Sequence, residues 1–444
     1  MKLSIVHPSD PWNQGLGGFD TCIDGVLRHA PSSWDIEVIG VTADPRACPP
    51  GQWIRREFNG RLVRFFAALE EREPDKVKFL PLSLRFVVAC RLRRVAPSGQ
   101  VVQFHRFESS LGCQLKRWQR AVYFLHNHPE EVVSEFSDLR WKRLGWLFRM
   151  ILGWRFRQAS WVVAVDPRTP DWAALEFPWL SGRATSLPQW ADLEVFSAGT
   201  PDERVGVRSQ IRDSLGVAPD ARLIGFVGRI ERQKDPLILV GAFAEVAGYD
   251  PTAALVVVGD GRLKKSMQLR SVALDVANRV HFVAPVKRAQ LADYYRAFDV
   301  VACSSGFEAG PRVVFEALAC GTPVVSFDVG QVRRLLGGGQ KSWVGEVVSE
   351  RNSDEMALAL LRSLRHPTAE DRVLACVNAV RDYTPARALG PLFDLYQSWS
   401  RDSGARSSQA PLVQDDQGVQ QSSSGTHHDH QGAVGGAKGT REHK

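Results

Sequence analysis

Glu308 and Glu316 stand eight positions apart within the stretch Ser304–Val325. An apolar run ends near Cys303, and a loop holding Gly306 and Gly310 follows. Pro311 suits the first position of a helix, where its missing N–H costs nothing. Gly321 suits the C-terminal cap, and Pro323 prevents continuation. The spacing therefore predicts a helix of about three turns with Glu316 on its second turn. The start of such a helix offers unpaired N–H groups and the positive end of a dipole, which suits a phosphate. Glu308 in the loop and Glu316 on the helix would reach different hydroxyls. Carboxylates for sugar and ribose hydroxyls, beside donors for a diphosphate, are what a sugar nucleotide needs. Taken alone, the same residues also fit a surface helix with two unrelated acids.

Arg229 and Lys234, five residues apart, follow the apolar run Leu223–Val227 in Gly225–Pro236. Cations just past a strand's C-terminal end lie where open α/β sheets bind ligands. Arg offers a rigid fork to phosphate oxygens and Lys a point charge, although a basic loop is also compatible with simple solvation. No Asp-x-Asp metal clamp is present. Diphosphate charge would then fall on Arg229, Lys234 and the helix start, with no metal and no cofactor required. In the N-terminal half, Gly15–Asp20 follows the first apolar run, and glycines such as Gly17 and Gly18 let a backbone approach a ligand closely. His126 and His128 end the run Phe124–His128, and His105 ends another. A histidine at such a place either bonds structurally or faces a cleft.

Val- and Ile-rich runs alternate with helical patterns along the chain: Asp35–Val41, Val101–Phe104, Ala121–Leu125, Trp161–Val165, Leu223–Val227, Ala254–Val258, Val280–Val283, Val300–Cys303 and Pro323–Phe327. Short continuous runs with intervening helices imply parallel strands covered on both faces, hence an α/β, doubly wound architecture. The small, polar segment Ser197–Glu203 reads as a linker. Four segments follow: an acceptor-side domain over 1–196, a nucleotide-sugar domain over 197–385, a helix over 386–400 packing back toward the first domain, and a disordered tail over 401–444. The tail holds no aromatic residue and is rich in Ser, Gln, Gly and His; its His427-His428-Asp429-His430 run reads as solvated.

Seven scattered Cys, without a C-x-x-C pair, argue against a disulfide framework or structural zinc and fit a reducing cytoplasm. The opening apolar run is too short for a signal core, and no stretch approaches the ~18 residues of a membrane span. The net charge of +7 is uneven: Lys76–Arg157 holds sixteen Lys plus Arg against five Asp plus Glu, so the remainder is net acidic. Within it, Leu139–Arg157 interleaves Arg140, Lys142, Arg143 and Arg149 with Trp141 and Trp146. Trp and Arg at helical spacing suit a membrane interface, and equally a half-buried helix with a solvated basic face. Nucleic acid is not expected, since no nucleic-acid module accompanies the charge.

The stretch Glu308 to Val325, with its E-x7-E spacing and Ala317-x-Ala319-x-Gly321-x-Pro323-Val324-Val325, resembles the signature of retaining glycosyltransferase family 4. Ala309 stands where that family usually has Gly. The resemblance implies a GT-B fold, two Rossmann-like domains with a cleft between them, and transfer of a sugar from a nucleoside-diphosphate sugar. It implies that Arg229 and Lys234 hold the diphosphate, Glu308 the donor sugar and Glu316 the ribose. It further implies that Ala309, Gly310, Pro311 and Arg312 line the donor site, that Gly17 and Gly18 face the donor phosphate, and that His126, with His128 as the alternative, lies beside the reacting sugar. Pro188, Asp192 and Phe196 match the segment that closes the first domain, with Gln189-Trp190 replacing the usual Asn-Gly. The likeness is loose from Val41 to Val122. It leaves open a glycan, lipid-linked or small-molecule acceptor, a role in surface polysaccharide or glycoconjugate synthesis, and attachment to the inner membrane face. The alternatives are a nucleotide-sugar epimerase of the same fold and a non-catalytic sugar-nucleotide or glycan-binding protein.

Overall fold

A computed structural model describes residues 1–13, 18–72, 80–132, 145–337, 343–366 and 369–407. The first 186 residues build an eight-stranded sheet: β1 Lys2–Val6, β2 Asp35–Thr42, β3 Trp53–Phe58, β4 Arg61–Glu70, β5 Val101–Phe104, β6 Arg120–Leu125, β7 Trp161–Ala164 and β8 Ala184–Ser186, in the order β3-β4-β2-β1-β5-β6-β7-β8. A second sheet holds β9 Arg222–Val227, β10 Ala253–Val258, β11 Val280–Val283, β12 Val300–Cys303, β13 Val324–Phe327 and β14 Gly345–Val348, in the order β11-β10-β9-β12-β13-β14. Both are doubly wound α/β layers, and every pairing is parallel except β3 with β4. That antiparallel hairpin departs from the all-parallel expectation. It turns at Asn59-Gly60, both at positive φ (48° and 76°), as a two-residue turn matching strand twist requires.

Strand order fixes where loops converge. β1 has β2 on one side and β5 on the other, and β9 has β10 and β12. These reversals open crevices beyond the strands' C-terminal ends. His7, His105 and His126 follow β1, β5 and β6; the Gly228–Lys234 and Ser304–Glu308 loops follow β9 and β12.

The last helix, Pro385–Ser407, places Ala388, Leu389, Leu392, Phe393 and Tyr396 in one apolar cluster with Ile23, Val26, Leu27, Trp34 and Trp190 of the first 196 residues. It runs past Ser400, so the tail expected to be disordered from residue 401 begins as helix; residues 408–444 lie outside the described set. No helix among the described residues is long and apolar enough to cross a membrane.

Candidate functional site

The helix carrying Glu316 spans Arg312–Ala319, one residue shorter at each end than its sequence signals imply. Pro311 caps it and Cys320 closes it, with Gly321 at φ 79° beyond. Glu308 lies in the preceding loop. The loop's path needs Gly330 at φ 53°, because a Cβ there would stand 2.5 Å from the carbonyl oxygens of both Glu308 and Ala309.

A short 3₁₀ turn, Arg232–Lys234, brings the Lys234 ammonium onto Glu308 Oε1 as an ion pair. The Ser305 hydroxyl donates to the same oxygen at 3.0 Å. Burial disfavours the Lys234 charge, but Glu308, helped by Cys303, more than offsets it and holds the ammonium above its usual range. Arg351, which sequence reasoning did not single out, clamps the two loops: its guanidinium donates to Asp235 Oδ2 at 2.6 Å, to Ser305 O at 2.7 Å and to Ser304 O at 3.1 Å. Arg229 is exposed at the end of β9, and its charge opposes that of Lys234.

Glu316 is 6% exposed, and both its oxygens are engaged. Tyr295 OH donates to Oε2 at 2.9 Å and Arg312 to Oε1 at 2.8 Å. Burial and the Glu316 charge together push the Tyr295 phenol well above its ordinary value, so it stays a donor. Arg312 also donates to Thr21 Oγ1, and so ties the start of this helix to the helix Gly18–His29. Gly310 O accepts from Gln189 Nε2 at 3.5 Å, and Val165 O accepts from Gln331 Nε2 at 3.1 Å. The loops of the two sheets therefore meet around Gly310 and Gln331. Ala309 and Pro311 are buried there. Glu131 also lies near: burial raises its carboxyl, Arg168 at 2.5 Å opposes this, and Asp166 and Glu308 add to it. Gly18 opens its helix, while Gly17 lies outside the described residues.

On the first sheet's side, His126 sits in a buried chain of hydrogen bonds. Gln103 Nε2 donates to Tyr396 OH at 3.0 Å, Gln103 Oε1 meets His105 Nε2 at 3.4 Å, and His105 Nδ1 meets His126 Nε2 at 3.1 Å. With the Gln103 carbonyl accepting, His105 carries its proton on Nε2, and its Nδ1 accepts from His126. The His126 lone pair then falls on Nδ1. Burial, and then the Arg106 charge, lower His126 to about 3. His7 and His105 are held well below their usual value, first by burial, then by Arg106 and His126 for His7, and by His126 and His7 for His105. His128, the other histidine of this segment, stacks edge-on against Trp172 and is also lowered by burial. Cys22 Sγ and nitrogens of His105 and His126 lie within 4.8 Å of one another, a thiol–imidazole set the sequence reading did not anticipate. Burial pushes the Cys22 thiol up to about 12, so it stays protonated.

Arg140, Trp141, Lys142 and Arg143 lie outside the described residues. Trp146 and Arg149 lie on the helix Gly145–Phe156, and both are exposed; residues 139–144 of the expected Leu139–Arg157 stretch lie outside the described residues.

Comparison with known proteins bears on this arrangement. Residues 207–375 match the family described as glycosyl transferases group 1. A solved sucrose-phosphate synthase from Thermosynechococcus elongatus superposes with a TM-score of 0.68 at 19% identity, covering 91% of this chain and 99% of that one. The fold is GT-B. Anabaena Alr3699/HepE in complex with UDP-glucose superposes with a TM-score of 0.57 at 18% identity, over 92% of this chain and 100% of that one. The D-inositol 3-phosphate glycosyltransferase 2 of Catenulispora acidiphila is 34% identical over 195 residues, 42% of this chain and 43% of the relative. The chain thus matches less than half of that relative's length. The family match contains Arg229, Lys234, Glu308 and Glu316, whereas the histidine chain lies before it.

Proposed function

We propose that this chain is a retaining glycosyltransferase of family 4 type that moves a sugar from a nucleoside-diphosphate sugar to an acceptor hydroxyl. The observation that carries this reading is the junction of Lys234, Ser305 and Glu308 at the β9/β12 crevice, beside a helix start whose Glu316 is held by Tyr295 and Arg312. Lys234 and Arg229 meet the diphosphate, Glu308 takes sugar hydroxyls and Glu316 the ribose. Arg312 and the Ala309–Pro311 backbone shape the phosphate end, and Gly17 and Gly18 close it from the other domain. On this reading one domain boundary lies at 196/197, between the two sheets, and one at 385/386, one residue inside the helix Pro385–Ser407. The relatives' names put a phosphorylated cyclitol among the small-molecule acceptors worth testing, beside glycans and lipid-linked acceptors of surface polysaccharide or glycoconjugate synthesis. A cytoplasmic enzyme on the inner membrane face, with helix Gly145–Phe156 against the bilayer, accommodates all of these.

In this reading the acceptor oxygen bonds to the anomeric carbon on the face the diphosphate leaves. The carbon–oxygen bond to phosphate breaks, and the acceptor's proton passes to a leaving phosphate oxygen. His126 supports this assignment. A group that binds protons only near pH 3 is a weak general base at neutral pH, while its Nδ1 lone pair can accept from a sugar hydroxyl. Proton NMR of the first-formed product from an α-linked donor is expected to show an α-linkage, in buffer containing excess EDTA as well as without it. A β-linkage would overturn retention, and a loss restored only by magnesium or manganese would overturn metal independence. Donor consumption without acceptor would favour an epimerase, and binding without turnover a non-catalytic protein.

A further inference from the structure

The helix Leu82–Leu92 buries Phe86 and Cys90 and turns Leu84, Val88 and Leu92 outward, 47%, 48% and 79% exposed. The helix Gly145–Phe156 does the same with Trp146, Met150 and Trp154, at 68%, 56% and 54%. Each set is spaced four residues apart, so each is one continuous stripe along its helix. A single groove joins the helices, with Arg91 on one wall, Trp154, Arg155 and Gln158 on the other, and Leu111 and Leu115 between. The segment forming its floor runs on into exposed Lys116, Arg117 and Trp118. Isolated exposed apolar residues are ordinary, but paired stripes on neighbouring helices mark an interaction surface.

The two helices and the segment between them carry charge of almost one sign, although Arg149 faces Glu130 and Glu176 at 3.8 Å and Arg85 pairs with Glu71. From Leu80 to Trp118 the only acid is Glu108, and Gly145–Arg157 holds none. Arg91, Arg94, Lys116, Arg117 and Arg157 are exposed. A second copy docked symmetrically would set these cations against one another. Leu84, Val88, Leu92 and Met150 offer no flat face for stacking a nucleobase, so the whole Leu82–Leu92 stripe is aliphatic and only Trp118, Trp146 and Trp154 could stack one. Apolar side chains that enter an acyl boundary, beside cations that meet anionic headgroups, match one occupant.

We infer that the helices Leu82–Leu92 and Gly145–Phe156 form one docking face for an anionic bilayer surface. The inference rests on the membrane reading of the second helix and adds the first as an equal partner. It is independent of donor chemistry.

The test is co-sedimentation of the full chain with phosphatidylcholine vesicles, with and without phosphatidylglycerol, at low and high salt. The wild type should partition onto anionic vesicles only, and less at high salt. The triple variant Leu84→Ser/Val88→Ser/Leu92→Ser should lose roughly tenfold or more of that partitioning, as should Trp146→Ser/Trp154→Ser. Unchanged melting temperatures would show that both variants remain folded. If the triple variant binds like the wild type while the tryptophan variant does not, the two-helix face is wrong and the single-helix reading stands. If the wild type binds neither vesicle, or both equally, both readings fail. If the triple variant converts a dimer to a monomer, the face belongs to a second copy.

Discussion

Lys234→Ala is expected to weaken nucleoside-diphosphate binding by about 2–5 kcal/mol, a loss of roughly thirtyfold to several thousandfold. The residue supplies the one ammonium that the β9 loop delivers into the crevice, against Glu308. Its charge is preserved there although burial opposes it. Removing it deletes a charge-assisted bond to a phosphate oxygen. It also leaves Glu308 with the Ser305 hydroxyl at 3.0 Å in place of a full cation, so the bare carboxylate repels the incoming diphosphate. Arg229→Ala should cost less, because Arg229 is exposed and its contribution is screened by solvent. Titration calorimetry with UDP checks both. Equal affinities for wild type and Lys234→Ala would remove Lys234 from the site.

Mild acid should destabilise the fold through the histidine cluster. His7, His105 and His126 all have folded-state values below the unfolded ~6.5, with His126 at about 3. Between those values the unfolded chain binds more protons than the folded one. The stabilisation is therefore complete above pH ~6.5 and is lost as pH falls toward 3. Any such group that stays neutral to pH 5.5 contributes a loss of about 1.4 kcal/mol per pH unit below ~6.5. Glu131, whose carboxyl is raised, acts in the opposite sense, favouring the folded state as pH falls through its raised value. His7→Phe should shrink the effect by about a third, because His7 already stacks on Phe19 and its Nδ1 has no partner. Urea unfolding at pH 7.5 and pH 5.5 measures it. A stability unchanged from pH 7.5 to 5.5 would mean that these imidazoles take up protons in the folded protein as readily as in the unfolded chain.

The strands that position the donor site were legible because each is a short, continuous Val/Ile run: Val280–Val283 and Val300–Cys303 coincide with β11 and β12 residue for residue. The Glu308–Glu316 unit was legible because loop glycines, Pro311 and Pro323 punctuate it locally. The hairpin β3–β4 was missed although Asn59-Gly60 carried its signal; charged Arg55, Arg56 and Glu57 obscured the alternation. Tyr295 and Arg351 had no such signal. They lie 21 residues before Glu316 and 46 after Ser305, and only chain packing brings them there. His7, His105 and His126 each visibly follow an apolar run. That they meet depends on the order β1-β5-β6, which periodicity cannot supply. The outward stripe of Leu82–Leu92 was hidden because Phe86 and Cys90 make the opposite side apolar too.

The central claim is that the β9/β12 crevice binds a nucleoside-diphosphate sugar. A thermal-shift panel of UDP-, GDP-, ADP- and CMP-linked sugars on the full chain tests it most directly. At about a hundredfold excess over Kd, a specific donor adds about 2.7 kcal/mol of stability and should raise Tm by roughly 3 °C or more. Such a shift is expected with one diphosphate-linked donor and should be lost in Lys234→Ala. A panel in which no nucleotide sugar moves the wild-type Tm, or one in which Lys234→Ala shifts as far as the wild type, would contradict the claim.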